Sequence, residues 1–253
     1  MPSHMSDIGF GLESEDDYQQ LALKACEHGH AWRTASGTYI RWSPGEGIEL
    51  WAQLDHDGEI IGLNPHFRGK GLMRIGLAEK INRPDGTILD GGFYGWANPS
   101  DTDPESGEFP LVFDLPDWEL HEGRLGSIVQ VQLAAFAHEL KSYESIEAFE
   151  QSQSEKIKFA SQSFIPSGLF TTEDHVTDPP QAHAIFTGHV LETSVITNPA
   201  TGSSFCWAAV ATLGGAIDVV ADPILLNGLI VRGGVLSGSF WLSGLVLGLS
   251  GNY

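Results

Sequence analysis

Residues 233–251 read Gly-Gly-Val-Leu-Ser-Gly-Ser-Phe-Trp-Leu-Ser-Gly-Leu-Val-Leu-Gly-Leu-Ser-Gly, without one ionisable side chain. A stretch of about 20 predominantly apolar residues is long enough to cross a membrane as a helix. Glycine and serine together supply more than half of this stretch, which lowers both its helix propensity and its mean hydropathy. No basic cluster flanks it to orient insertion. The sequence therefore favours a buried β layer over a membrane anchor.

Charge is divided unevenly along the rest of the chain. The formal net charge is −20. Residues 183–253 carry very few charged side chains, namely Glu192, Asp218, Asp222 and Arg232. We interpret this divide as a domain boundary at a connector, residues 161–182, because the double proline Pro179-Pro180 cannot continue a helix or a central strand. Any ionisable site is accordingly expected within residues 6–140.

The composition narrows the classes of partner. A net charge of −20 and a pI near 4.6 repel polyphosphates, so nucleic acids and anionic membranes are not expected as partners. Residues 1–5 contain Ser-His-Met and no secretory signal, and we treat them as a tag remnant or a disordered start. The two cysteines, Cys26 and Cys206, form no paired framework. We expect a cytoplasmic protein that binds a protein or a small molecule.

Local signals predict an α+β domain over residues 6–160. Ser14, followed three residues later by Asp17, predicts a capped helix of about 15 residues that ends at Gly29. The Asp-Gly pair in Asp55–Gly58 predicts a hairpin turn in an antiparallel sheet. A further helix is expected from Ser142 or Ser145 to Ser152. The expected strands are Thr38–Trp42, Gly47–Leu54, Glu59–Leu63, Leu72–Ile81, Thr87–Trp96, Pro110–Leu115 and Ser127–Ala137.

The C-terminal residues 183–253 form a second pattern of short apolar runs separated by turn signals. The runs are Ala184–Thr193, Ser204–Thr212, Ala216–Ala221, Leu229–Val235 and Ser239–Leu247. Five short strands with an insert between the third and the fourth resemble a small closed barrel of the OB type. The predicted fold class is therefore α+β and β-rich, with an antiparallel-sheet N-terminal domain and a small C-terminal OB-like β-barrel.

One acidic segment could supply ligands to a divalent metal. Asp117, Glu119 and His121 alternate along the chain, so an extended backbone would place two carboxylates and an imidazole on one side. The alternative is a solvated acidic loop that follows Pro116.

The order of elements in residues 6–67 resembles one βαβββ half of the glyoxalase-like metalloenzyme family. The stretch Gly47-Ile48-Glu49-Leu50 falls on the strand where that family often places a glutamate ligand. The resemblance implies a metal-dependent enzyme with Glu49 as a ligand. The chain departs from the pattern in the expected first strand, Ser6–Gly11, where Asp7 is the only ionisable residue.

A basic cluster interrupts the acidic N-terminal half. His66, Arg68 and Lys70 occur in a glycine-containing loop, with Arg74 close behind, and could hold a carboxylate or phosphate. The alternative is a connecting loop whose cations pair with neighbouring acids.

No familiar catalytic motif occurs in the sequence. It contains no GxSxG nucleophile motif and no GxGxxG between a predicted strand and helix. The leading prediction is therefore a non-catalytic binding or interaction protein. The alternatives are a metal-dependent enzyme and a subunit of a homo-oligomeric assembly.

Overall fold

The computed structural model describes residues 4–154, 158–170 and 179–247, which fold mainly into β-strands. The α-helices are α1 (Glu15–His28) and α2 (Ile146–Ser152). The 3-10 helices are Ser6–Ile8, Trp118–Arg124, Ser167–Leu169 and Pro223–Leu225. The strands are β1 (His30–Arg33), β2 (Thr38–Gly45), β3 (Ile48–Leu54), β4 (Ile60–Phe67), β5 (Leu72–Asn82), β6 (Gly91–Ala97), β7 (Phe109–Asp114), β8 (Ile128–Tyr143), β9 (Ser163–Ile165), β10 (His183–Thr197), β11 (Ser204–Thr212), β12 (Gly215–Ala221) and β13 (Val235–Leu247).

Helix α1 begins and ends where the sequence predicts. The Ser14 hydroxyl accepts a hydrogen bond from the Asp17 backbone N–H at 3.2 Å, and the Asp17 carboxylate accepts one from the Ser14 N–H at 3.0 Å. This reciprocal capping box satisfies N–H groups that have no partner inside the helix. The buried face of α1, formed by Leu21, Ala22 and Ala25, belongs to the same apolar cluster as residues of β2, β3 and β4.

The first sheet is a four-stranded antiparallel meander in the order β1-β2-β3-β4. Gly58 closes the predicted hairpin turn with a φ of 87°, a conformation that glycine adopts without a steric penalty. The expected first strand of the glyoxalase-like pattern is not formed, because Ser6–Ile8 is a 3-10 helix. The meander is therefore confirmed, and the strand that would precede α1 in a βαβββ half is wrong.

The second sheet has nine strands and mixed pairing. Its longest pairing joins β8 and β13 antiparallel from Val235↔Tyr143 to Leu247↔Gln130. The other edge of β8 pairs with β5 and then with β12, whereas the other edge of β13 pairs with β10 and then with β7. The uncharged, Gly- and Ser-rich stretch thus forms a central strand from Val235 to Leu247. Residues 248–253 lie outside the described part of the chain.

Strand pairing closes two circuits that share the β8–β13 pair. One circuit runs through β5, β6 and β7, and the other runs through β12, β11 and β10. A single large apolar cluster contains residues from both circuits, including Phe113, Val131, Phe186, Val219 and Leu242. The N-terminal and C-terminal halves of the chain therefore share one core along the β8–β13 pair.

The predicted OB-like barrel and the division into two domains are not confirmed. The expected strand Leu229–Val235 is not formed, since β13 begins only at Val235 and Gly233 turns the chain with a φ of 81°. The circuit that contains the C-terminal strands is completed by β8, from the N-terminal half. In the expected connector, β9 pairs with β10, and residues 171–178 lie outside the described residues.

Side chains alternate across β13 and so separate two environments. Leu242 and Val246 pack in the large core, whereas Trp241 and Ser243 face the first sheet. On β8, Leu133 and Ala135 belong to the large core, and Ala134 and Phe136 belong to the cluster shared with α1 and the first sheet. This two-residue period gives the outer face of the β8–β13 pair its own set of polar side chains.

Helices of the described residues are all too short or too polar to cross a membrane.

We expect Gly244→Ala to destabilise the protein by roughly 1–3 kcal/mol. A methyl group at this position would overlap the Phe113 ring and press on Val131 across the core. Ser239→Ala on the same strand is the control and should shift stability by less than about 0.5 kcal/mol, as surface changes usually do. Urea unfolding of both variants measures the difference. Equal midpoints for Gly244→Ala and the wild type would contradict this packing.

Asp7 should make stability depend on pH in the opposite sense to most carboxyl groups. It is 1 % exposed, and its Oδ1 accepts a hydrogen bond from the Asp222 N–H at 2.8 Å. Burial raises the pKa of Asp7 to about 8. Because the folded pKa lies above the unfolded one, the stability gained from the neutral carboxyl is complete below about pH 4 and is lost as the pH rises through about 8.

The Asp7→Asn variant should remove this loss, since the amide stays neutral and can still accept from Asp222. Its stability relative to the wild type should therefore increase between pH 5 and pH 9, measured by urea unfolding at each pH. A difference that does not change with pH would show that Asp7 does not titrate in this way.

Candidate functional site

A pocket of about 260 Å³ lies between β4 of the first sheet and, in the second, the end of β7 and the middle of β13. The turn between β5 and β6 forms one wall, and the end of the connector forms another. Its main polar lining residues are Asn64, Arg83, Asp85, Asp90, Asp114, Gln181 and Ser243. The pocket thus brings carboxylates, amides, a guanidinium and a hydroxyl from distant parts of the chain to one place.

Asp114 and Arg83 form a closely bonded ion pair in the wall of this pocket. Arg83 donates to Asp114 Oδ1 from Nε at 2.8 Å and from Nη2 at 2.6 Å, while Trp241 Nε1 donates to Oδ2 at 2.7 Å. Burial raises the pKa of Asp114, although Arg83 and Trp241 both act to lower it. A third Arg83 nitrogen, Nη1, donates to the carbonyl of Pro180 and fixes the guanidinium.

Asp90 has a different environment in the same pocket. Its Oδ1 accepts from Gln53 Nε2 and Asn64 Nδ2, each at 2.8 Å, and its Oδ2 accepts from the Thr87 N–H at 2.8 Å. All three donors are neutral. No Lys, Arg or His forms an ion pair with Asp90 within residues 4–154, 158–170 and 179–247. Asp90 is therefore an oriented carboxyl group that forms no ion pair with a described residue.

The position of Asp90 depends on a turn that the sequence did not predict. A strand was expected over Thr87–Trp96, but β6 begins only at Gly91. Residues 87–90 form a turn because the Asp90 side chain caps the Thr87 N–H and the Asp90 N–H bonds to the Thr87 carbonyl at 3.1 Å. This local competition with strand pairing is typical of aspartate.

A chain of buried polar side chains reaches the pocket at Ser243. The Ser243 hydroxyl oxygen lies 2.8 Å from His66 Nδ1, and His66 Nε2 lies 2.9 Å from Gln132 Oε1. Gln132 Nε2 in turn donates to Asp218 Oδ2 at 2.8 Å. His66 and Asp218 are completely buried, and Ser243 and Gln132 are nearly so. The chain connects strands β13, β4, β8 and β12.

Asp218 fixes the direction of every hydrogen bond in this chain. Its oxygens also accept from the Lys70 and Gly71 backbone N–H groups and from Trp207 Nε1, at 3.0, 2.7 and 2.9 Å. Because every partner is an N–H donor, the Gln132 amide must point its NH₂ group at Asp218 and its carbonyl at His66.

The orientation of Gln132 determines the hydrogen positions on His66. A carbonyl facing Nε2 requires a hydrogen on that nitrogen, so a neutral imidazole leaves Nδ1 as an acceptor for the Ser243 hydroxyl. Burial lowers the pKa of His66, against the opposing effect of nearby Glu49, and so favours this neutral ring. The arrangement pairs a hydroxyl with an unprotonated nitrogen at the edge of the pocket.

The predicted anion-binding residues do not converge. His66 is buried in the polar chain, whereas Arg68 donates to Glu49 at 2.6 Å and Lys70 donates to Glu192 at 2.6 Å. Arg74 donates to Asp101 at 2.6 Å. Pairing of each cation with a carboxylate is what the alternative interpretation of this loop expects. Anion binding by these four residues stays a prediction.

The predicted metal ligands are each hydrogen-bonded to other side chains. Glu49 accepts hydrogen bonds from Trp51 Nε1 at 3.0 Å and from Arg68. Asp117 Oδ2 lies 3.1 Å from His121 Nε2, and Glu119 accepts from Ser36 at 3.1 Å.

The extended backbone assumed for Asp117, Glu119 and His121 is wrong, because Trp118–Arg124 is a 3-10 helix. Within the described ranges, no group of three or more His, Cys, Asp or Glu side chains is placed to hold a metal ion. The assignment of a divalent metal stays a prediction. One oxygen each of Asp117 and Glu119 is buried without a hydrogen-bond partner among the described residues.

Apart from His66, which was expected to bind an anion, the residues that form the pocket and the polar chain were not identified from the sequence. Asp218 lies outside residues 6–140, where an ionisable site was expected, and Asp90 was assigned to a strand. The sequence held one weak signal for Ser243. This serine follows Trp241 by two residues in an uncharged predicted strand, so the two side chains lie on the same face. A strand pattern gives the face on which a side chain lies but not the side chain it meets there.

Comparisons with protein-family models, curated proteins and solved structures found no match.

We expect His66 to be neutral at pH 7 because burial lowers its pKa, and to carry its hydrogen on Nε2 because the Gln132 carbonyl faces that nitrogen. Long-range ¹H–¹⁵N spectra of uniformly ¹⁵N-labelled protein distinguish the two tautomers. The same tautomer should persist as the pH falls below the ordinary histidine pKa of about 6.5, because burial lowers this pKa.

The Asp218→Asn variant should lose the single tautomer, because an asparagine amide no longer fixes the orientation of Gln132. Asp222→Asn removes the same charge nearby and should leave the tautomer unchanged. A hydrogen on Nδ1 in the wild type would contradict the assigned directions.

Proposed function

We propose that this protein binds a small molecule that carries an amino group, in the pocket lined by Asp90 and Asp114. The observation that supports the proposal is the Asp90 carboxylate, which is held by three neutral donors at the pocket wall. An ammonium group would balance its charge and form a charge-assisted hydrogen bond, which is about twice as strong as a neutral one.

The Asp114–Arg83 pair would serve the same ligand differently. Arg83 neutralises the Asp114 charge, so the Asp114 carboxylate acts as an oriented acceptor rather than as a second anionic site. Asp114 Oδ2 has one donor among the described residues, Trp241 Nε1, and a carboxylate oxygen accepts about two. A hydroxyl group of the ligand could occupy the remaining position, which favours an amino alcohol over a simple alkylamine.

Pocket size and the electrostatic field both agree with this ligand class. A volume of about 260 Å³ lies below the ~300–1,000 Å³ of pockets for drug-sized ligands and suits a compact metabolite. A net charge of −20 concentrates small cations around the protein. The ligand-binding proposal agrees with the class of binding protein that the composition favours.

The two alternative functions have weaker support. A metal-dependent enzyme would use ligands drawn from Glu49, Asp117, Glu119 and His121, and the buried oxygens of Asp117 and Glu119 without a hydrogen-bond partner among the described residues are the observation that favours it. A homo-oligomeric assembly would use an exposed apolar surface. No particular patch within the described ranges favours that assembly over isolated exposed side chains.

We further propose that the protein acts in the cytoplasm. Cys26 and Cys206 are both free thiols, which agrees with a reducing compartment. An OB-like barrel over residues 183–253 as an independent domain also stays a proposal. Expression of residues 183–253 alone would test this proposal. The circuit of paired strands that contains β10 to β13 is completed by β8, which lies outside that range, so an independent domain would have to fold without it.

We expect ethanolamine to shift amide resonances of residues 83–91 and 241–243 in ¹H–¹⁵N spectra, whereas glycolate and ethylene glycol should not. Asp90→Asn should weaken ethanolamine binding about 10-fold or more, since a hydrogen bond to a charged group contributes about 1.5–3 kcal/mol. Asp57→Asn, an equal charge change in an exposed turn, should leave the affinity unchanged.

Equal shifts from glycolate and ethanolamine would contradict recognition of the amino group. Unchanged affinity in a folded Asp90→Asn variant would contradict the role assigned to Asp90.

A further inference from the structure

We propose that Ser243 is a nucleophile that His66 activates, so that the pocket can cleave an ester of an amine-bearing acid. Ser243 lines the pocket, and its hydroxyl oxygen lies 2.8 Å from His66 Nδ1. The substrate class rests on the proposed binding of an amino group at Asp90, whereas the reactivity of Ser243 does not.

His66 is placed to act as the base for Ser243. A serine hydroxyl is a weak nucleophile until a neighbouring base takes its proton. Because Asp218 and Gln132 hold the hydrogen of His66 on Nε2, the free lone pair on Nδ1 faces the Ser243 hydroxyl. His66 therefore has the polarity that a general base requires. Gln132 and Asp218 are positioning residues for it.

Ser243 forms part of the pocket wall, where a substrate would bind. A hydrogen bond between Ser243 and His66 could serve only to join the two sheets, and such a bond would need no opening to a cavity. Ser243 instead shares the pocket wall with Arg83, Asp90 and Asp114. Its Cα position pairs directly with that of Asp114 between β13 and β7. A ligand ammonium at Asp90 would thus occupy a cavity whose wall includes Ser243.

Arg83 is placed to stabilise the negative oxygen that forms when Ser243 attacks the ester. Arg83 has five N–H donors and uses three nitrogens on Asp114 and Pro180. Arg83 lines the same pocket, so its remaining N–H groups could donate hydrogen bonds to the developing oxyanion, a contribution that is often large in acyl transfer.

The reaction balances without any redox partner. As Ser243 Oγ bonds to the ester carbonyl carbon, its proton moves to His66 Nδ1, and the bond from carbon to the leaving alkoxy oxygen breaks. That oxygen takes the proton from His66 and departs as an alcohol. Water then attacks the acyl-serine with His66 again as the base, which releases the carboxylic acid and restores Ser243.

The first test uses an alkyl fluorophosphonate, in which Oγ bonds to phosphorus, fluoride leaves and the proton goes to His66. Intact mass and peptide mapping should show one adduct, located on Ser243. Ser243→Ala should abolish it, and Ser239→Ala on the same strand should label like the wild type. Absence of an adduct on Ser243 in the folded wild type would overturn the inference.

His66→Gln should slow labelling at least about 100-fold, the lower end of the usual effect of a general base. Because that variant could fail to fold, the pH dependence of wild-type labelling provides a second measurement. The rate should stay high below the ordinary histidine pKa of about 6.5, because burial lowers the pKa of His66; the charges of Glu49 and Asp117 oppose this shift and that of Arg68 adds to it. A rate that rises tenfold per pH unit from pH 6 to pH 9 would indicate uncatalysed alkoxide attack and overturn the role of His66.

The positioning role of Gln132 and Asp218 is tested by comparing the labelling rate with the tautomer of His66. Asp218→Asn should lower the labelling rate at every pH in proportion to the loss of the Nε2–H tautomer in NMR spectra. A folded Asp218→Asn variant with an altered tautomer and an unchanged labelling rate would overturn the positioning role.

Ethanolamine titration of the same protein separates this inference from the proposed function. Binding of ethanolamine without labelling at Ser243 would overturn the inference and leave the binding function intact. Labelling without ethanolamine binding would support Ser243 as the nucleophile and overturn both the proposed function and the amine-bearing substrate class.

Discussion

The antiparallel pairing of β8 with β13 is the constraint on which the rest of the structure depends. Each strand of this pair uses its second edge twice, so β5 and β12 follow one another along β8, and β10 and β7 along β13. One face of the pair closes the large core. The other face receives the first sheet and α1. A slip of one residue in this register would exchange the two faces.

Polar groups on the outer face have to satisfy one another where the first sheet covers them. Asp218 shows the strongest requirement, since a buried carboxylate is costly unless it is fully hydrogen-bonded. Four N–H donors from three different parts of the chain meet it. The same donors orient Gln132 and, through it, His66. A structural requirement of burial thus also sets the hydrogen-bond directions at the pocket edge.

Local sequence predicted the elements whose stabilising contacts are themselves local. The capping box of α1 and the Asp55–Gly58 turn formed as predicted because their partners lie within four residues. The expected extended segment around Asp117 and Glu119 failed because Trp118–Arg124 is a 3-10 helix, in which residues three apart, and not alternate residues, share a face. The expected strand at Thr87 failed because the Asp90 side chain competes for the backbone N–H that strand pairing would use.

The sequence alone determined that residues 233–251 suit a β layer, since glycine and serine disfavour a helix there, and that the protein is acidic and β-rich. Tertiary structure alone decided which strand covers which. It placed Ser243 against His66, 177 residues away in sequence, and brought Asp218 into the chain beside them. The physical reason is that β pairing is non-local: alternation assigns a side chain to a face, but only the register between distant strands determines its neighbour.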